Sequence, residues 1–185
     1  GWVSGSDLIN NINDNNNPYV TDADANYGRA LKLYVEKDAS GAIVKELIFV
    51  CSPGENAGGV DKGSLRVLER NQLEPNRARG WVLQTGGKVD PPTSIQSGEF
   101  FCSDVDYNGE YLAVSAPSDD NRRGSVFIFR REGSMWVEKQ DLIPSDAMQA
   151  AEWIFGGTLD MEGDRLAIGA ELADVVVGTN VSTDA

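Results

Sequence analysis

The chain contains no histidine, and this absence removes more chemistry than any motif adds. Ser-His-Asp and Cys-His mechanisms are excluded within these residues, because both need an imidazole base. Two cysteines, Cys51 and Cys102, fit no zinc spacing, and no histidine completes a set. Basic residues are also scarce: 16 Lys and Arg stand against 29 Asp and Glu, for a formal net charge of −13. Such a surface repels a phosphate backbone, so a nucleic-acid partner is not expected. No apolar run approaches the roughly 20 residues that cross a bilayer, and Glu171 and Asp174 interrupt the most apolar stretch, Leu166 to Gly178. No charged-then-apolar leader opens the chain, so any signal peptide is expected to have been removed or to lie outside it.

What is present is turn chemistry and a repeat. Twenty glycines, with scattered Asn and Asp, suit a protein of many short strands. Phe101–Pro117 (FCSDVDYNGEYLAVSAP) aligns without a gap on Phe155–Glu171 (FGGTLDMEGDRLAIGAE), with six identities in seventeen positions. Each copy reads as a hairpin, turned at Asn108-Gly109 in one and at Glu162-Gly163 in the other. Asn-Gly is the preferred dipeptide of a type I′ turn. An earlier copy follows Tyr27-Gly28 and contains Leu47–Pro53 (LIFVCSP), then Gly63-Ser64-Leu65-Arg66-Val67-Leu68 and Gly80-Trp81-Val82. The second copy continues with Gly124-Ser125-Val126-Phe127-Ile128-Phe129 and Met135-Trp136-Val137. Val126 and Ile128 lie on one face of a strand and Phe127 and Phe129 on the other, so both faces are covered.

Four short strands in a repeat of about 54 to 64 residues are the arithmetic of a β-propeller blade. The expected fold is all-β, a partial propeller of about two and a half blades, with a two-layer sandwich as runner-up. The expected division is a closing strand plus an Asn/Asp-rich insertion at 1–26, a first blade at 27–82 and a connecting loop at 83–100. A second blade follows at 101–137 and the start of a third at 138–185. Trp2, Trp81 and Trp136 recur at matching places and are read as blade-packing residues. The chain is expected to open on a closing strand and to stop after an opening hairpin. The blades that pair with these edges are expected in further sequence or, failing that, in a partner chain, since unpaired edges invite another chain.

With Phe155-Gly156, Gly163-Asp164-Arg165-Leu166-Ala167-Ile168-Gly169-Ala170, Ala113-Val114-Ser115-Ala116-Pro117 and Gly124-Ser125-Val126-Phe127-Ile128-Phe129 in hand, the sequence resembles FG-GAP repeats. These are the blades of integrin-α-like propellers. The resemblance spans nearly the whole chain after residue 26, although no copy of the motif is complete. It implies a recognition protein, commonly outside the cell, that binds protein or glycan and often holds calcium in some blades.

Calcium needs hard oxygen ligands at alternate positions. The hairpins Asp106–Gly109 and Asp160–Gly163 are too short to wrap an ion, and Asp38 in the longer first hairpin has no closing carboxylate. Asp14, Asp22 and Asp24 are the weak calcium candidates, against the simpler reading of a solvated loop; Asp119 and Asp120 are weaker still. Asp104 and Asp106 share a strand face and so offer paired carboxylates. Asp106 recurs as Asp160 at a turn entrance, which points to hairpin capping. Cys51 and Cys102 are either a disulfide between adjacent blades, implying an oxidising compartment, or two buried thiols. Asn180 in Asn180-Val181-Ser182 is the one N-glycosylation sequon.

The expected role is therefore non-catalytic: an extracellular or cell-surface propeller in adhesion, or a structural subunit of a larger assembly or appendage. The expected partners are proteins or further copies of the chain. The alternatives are a soluble glycan- or protein-binding module and an accessory domain of a secreted hydrolase.

Overall fold

The computed structural model describes residues 26–56, 61–71, 80–144 and 153–171. Within them the chain is all-β and every sheet is antiparallel. The first sheet is a four-stranded meander of β1 (Leu31–Lys37), β2 (Ile43–Ser52), β3 (Ser64–Arg70) and β4 (Trp81–Val89). The second repeats that order with β5 (Val105–Tyr107), β6 (Tyr111–Ala116), β7 (Ser125–Glu132) and β8 (Met135–Leu142). The third is the hairpin β9 (Phe155–Glu162) and β10 (Arg165–Ala170). No helix among the described residues is long and apolar enough to cross a membrane.

The outer strands run further than the sequence suggests. β4 continues past 82 to Val89, where Val89 pairs with Leu65, and β8 continues past 137 to Leu142, which pairs with Val126. A register shift lies within each of these ladders. An inserted residue breaks strict alternation, so an apolar pattern read at period two ends there while the strand does not.

The turn of the second sheet also differs in detail. The Asn108 amide donates to the Tyr111 carbonyl, which puts Gly109 and Glu110 at the tip. Gly109 has φ +107 whereas Glu110, the second tip residue, is not among the residues with positive φ, so the turn is not type I′. Asn108 acts through its side chain instead: Oδ1 accepts from the amides of Glu110 and Tyr111, at 2.9 and 2.7 Å.

Sheets one and two pack face to face. Leu47, Phe49, Cys51, Leu65 and Val67 of the first meet Val105, Tyr107, Leu112, Val114, Phe127 and Phe129 of the second in one apolar cluster. Rings lock it: Phe49 lies 4.7 Å from Tyr107 and 5.8 Å from Trp136, centroid to centroid. The opposite face of β7 also carries apolar side chains. Val126 is fully buried, and its Cγ2 lies beside the α-carbon of Gly156 in the third sheet. Burial of apolar area at about 25 cal/mol per Å² is the main force holding such stacked sheets.

Candidate functional site

The ladder registers bring one position of each sheet into correspondence. Lys32 pairs with Phe49, Asp106 with Ala113, and Asp160 with Ala167. The hydrogen bonds agree, since Gly28 N donates to Cys51 O as Cys102 N donates to Ser115 O. Lys32, Asp106 and Asp160 are thus one position repeated on the first strand of each sheet; Lys32 reaches Asp106 of the second sheet, and Asp106 reaches the third.

At the second seam this position acts as a clamp. Asp106 Oδ2 accepts the amide of Met161, and Asp104 Oδ2 accepts that of Leu159, both at 2.7 Å. These amides belong to alternate residues on the edge of β9 that faces away from β10, so two carboxylates cap an otherwise unpaired strand edge. Asp106 Oδ1 is occupied as well, by the Tyr107 amide at 2.7 Å and by Lys32 Nζ at 2.5 Å. Asp104 Oδ1 takes the Val105 amide at 2.9 Å. Hairpin capping, expected for Asp106, therefore falls to Asn108, while Asp106 joins sheets.

The repeated motifs meet at the seams too. Phe101 N donates to Lys62 O at 3.0 Å, and Phe155 N donates to Arg123 O at 2.9 Å. In each case the acceptor precedes the glycine of a Gly-Ser pair. Gly63 (φ +88) lies under the Phe101 carbonyl and Gly124 (φ +86) under that of Phe155, with no room for a β-carbon. The Phe-Gly and Gly-Ser signatures are two halves of one inter-sheet contact.

Cys51 and Cys102 form a disulfide across the first seam, with Cα atoms 5.1 Å apart. Both residues are fully buried. Cys102 has φ +66 and stands where the other repeats have Gly28 (φ +84) and Gly156 (φ +87). A side chain in that region costs on the order of 1 kcal/mol or more. Closing a loop across 51 positions offsets it with roughly 4 kcal/mol in the chain-entropy account.

A buried ion cluster ties the first sheet together. Glu55 bonds Arg66 through both carboxylate oxygens and accepts from Ser64 Oγ at 2.6 Å, with Lys88 Nζ at 3.7 Å. Burial pushes the Glu55 carboxyl up, but the hydrogen bonds from Arg66 and Ser64 and the charges of Arg66 and Lys88 outweigh it and hold it below the ordinary value. The Arg66 guanidinium also lies 5.8 Å from the Tyr27 ring centroid. Burial, opposed by Arg66, pushes the Tyr27 phenol up to about 12.

Among the described residues cation binding finds no ligand set. The oxygens of Asp104 and Asp106 face N–H donors; Asp119 Oδ1 takes the Asp120 amide and its Oδ2 the Ser125 hydroxyl. Asp38 Oδ1 accepts from Ser40 N, Ser40 Oγ and Ala42 N. Among the described residues no group of three or more Cys, Asp and Glu is arranged to hold a metal ion. Asp14, Asp22, Asp24, Trp2 and Asn180 lie outside the described residues. Trp136 is buried, and Trp81 packs partly buried against Ile48, Val50 and Leu68.

Two features escaped the sequence reading although each left a trace. Arg66 sits in the middle of Leu65-Arg66-Val67, and a charge inside a buried strand signals a buried partner. Lys32 could have been found by extending the repeat alignment back through the first hairpin. Compared with known proteins, the chain matches no protein-family model and has no significant match among curated proteins.

Proposed function

We propose that this chain is part of a non-catalytic FG-GAP propeller protein at the cell surface or outside the cell, serving adhesion or as a structural subunit of a larger assembly. One observation carries this reading: the same backbone contact recurs between successive sheets, Phe101 or Phe155 against a Gly-Ser pair, and the first of these seams is also cross-linked by Cys51–Cys102. Repeated sheets joined by one repeated contact are what a propeller needs. A buried cross-link suits an oxidising compartment. The polar groups of the seams are spent on each other, which favours a scaffold over a reaction centre.

Protein secreted under oxidising conditions should form higher-mass species in light scattering and regular particles or filaments by electron microscopy. A monomer at every concentration, together with strong hits on a glycan array, would replace this reading with that of a soluble glycan-binding module.

A further inference from the structure

The second and third sheets also touch at their turns, through a residue able to change its own chemistry. Asn108 Nδ2 donates to the Gly163 carbonyl at 2.7 Å, so the tip of one hairpin holds the tip of the next. Asn108-Gly109 is the one Asn-Gly pair in the sequence. Asn108 is half-buried while Gly109 and Glu110 are exposed, so water reaches the turn.

An asparagine followed by glycine is open to attack from within the chain. The backbone nitrogen of the next residue adds to the side-chain Cγ, and glycine puts no β-carbon in its way. Gly109 N finds no hydrogen-bond acceptor among the described residues, so the nucleophile is uncommitted. The electrophile is polarised as well. Asn108 Oδ1 accepts the amides of Glu110 and Tyr111, at 2.9 and 2.7 Å. Negative charge develops on that oxygen as the nitrogen adds, and two donors already aimed at it stabilise the charge where it forms.

We infer that Asn108 is a self-modification site, converted in the folded protein to aspartate and isoaspartate, and that conversion loosens the third sheet from the second. The Gly109 nitrogen loses its proton and bonds Cγ; the Cγ–Nδ2 bond breaks, and ammonia leaves carrying that proton. Water then opens the cyclic imide. Opening at Cγ gives aspartate, and opening at the Asn108 backbone carbonyl gives isoaspartate.

Both products end the contact with the third sheet. Aspartate has no hydrogen to donate to Gly163 O and sets a carboxylate against that carbonyl. Glu162 and Asp164 flank the glycine, so the new charge also meets two like charges. Isoaspartate routes the main chain through the former side chain and removes the Oδ1 cap from the turn. The clamp of Asp104 and Asp106 is untouched, so the hairpin opens more often without detaching.

The full chain, aged in neutral and mildly alkaline buffer and then digested for fragmentation mass spectrometry, tests the site. Asn108 should gain the mass of NH2 replaced by OH, with isoaspartate among the products. Conversion should run faster in alkali and well ahead of Asn121, which is exposed but precedes Arg122. Asn108→Gln is the control, because its longer side chain closes the ring far more slowly. Gly109→Ala is unsuitable, since a β-carbon there meets the Tyr34 hydroxyl. Hydrogen exchange then reads the seam. In Asn108→Asp the amides of Leu159 and Met161 should exchange about three- to tenfold faster, as one lost hydrogen bond predicts, while those of β2 and β3 stay unchanged. If that variant does not fold, aged wild type separated by charge gives the same reading. Conversion no faster than at Asn121, or only after unfolding in urea, overturns the site. Unchanged exchange at Leu159 and Met161 overturns its effect on the seam.

Discussion

Asp106 Oδ2 accepts the backbone amide of Met161 at 2.7 Å, so a side chain of the second sheet completes the hydrogen bonding of a strand in the third. The same carboxylate holds Lys32 Nζ at 2.5 Å from the first sheet. One buried residue thus connects all three sheets, and its removal should be felt well beyond its own strand.

Asp106→Ala leaves the Met161 amide without its acceptor and the Lys32 ammonium without its partner. A hydrogen bond to a charged group contributes about 1.5–3 kcal/mol. Urea unfolding should show a loss of about 2–3 kcal/mol for Asp106→Ala and a smaller one for Asp106→Asn, which keeps an acceptor oxygen. Equal stability of Asp106→Ala and the wild type would show that the clamp contributes nothing.

Removing the disulfide should cost roughly 2–4 kcal/mol. The position of Cys102 permits a finer test. At φ +66, Cys51→Ala with Cys102→Gly should be more stable than Cys51→Ala with Cys102→Ala by about 1 kcal/mol, because only glycine adopts that backbone freely. Thermal melts of both double variants, with reduced wild type as the reference, give the ordering. The reverse order would contradict the strain assigned to Cys102.

Acid should weaken the first sheet through Glu55. Its folded-state pKa lies below the ordinary carboxylate value, so its contribution is present above the unfolded-state pKa and is lost as pH falls through the folded one. Wild-type stability should therefore fall progressively as the pH drops through and below the ordinary glutamate range. Glu55→Gln should be less stable near neutrality by about 3 kcal/mol, since Arg66 is left buried beside a neutral group. It should also lack the Glu55 part of the acid slope. Parallel pH curves for the two proteins would rule out this assignment.

Two glycines that look alike in sequence should differ sharply on substitution. Gly124→Ala places a methyl against the Phe155 carbonyl, and backbone cannot easily give way. Gly133→Ala meets nothing within 4 Å and pays only for its positive φ. We expect a loss of more than 2 kcal/mol for the first and about 1 kcal/mol for the second by denaturant titration.

Much of the order along the chain was legible in residues alone. The Asn-Gly and Glu-Gly signals locate hairpins because turn geometry is a local matter, decided by φ and by side chains within a few residues. The alternation through Val126–Phe129 revealed a strand covered on both faces for the same reason. The length of β4 was not legible, because a shift in pairing register depends on the neighbouring strand and not on β4 itself.

The sequence by itself determined an all-β chain of repeated hairpins and the absence of imidazole chemistry, since both follow from residue type and local spacing. Only the tertiary structure decided what the repeated residues do. Whether Cys51 meets Cys102, whether Asp106 caps its own turn or the amide of Met161, and whether Arg66 finds Glu55 all depend on distances between segments 11 to 55 residues apart. Those distances are set by how one sheet stacks on the next. Stacking is driven by non-directional apolar burial, and the same apolar residues could pack in other registers until the polar contacts select one.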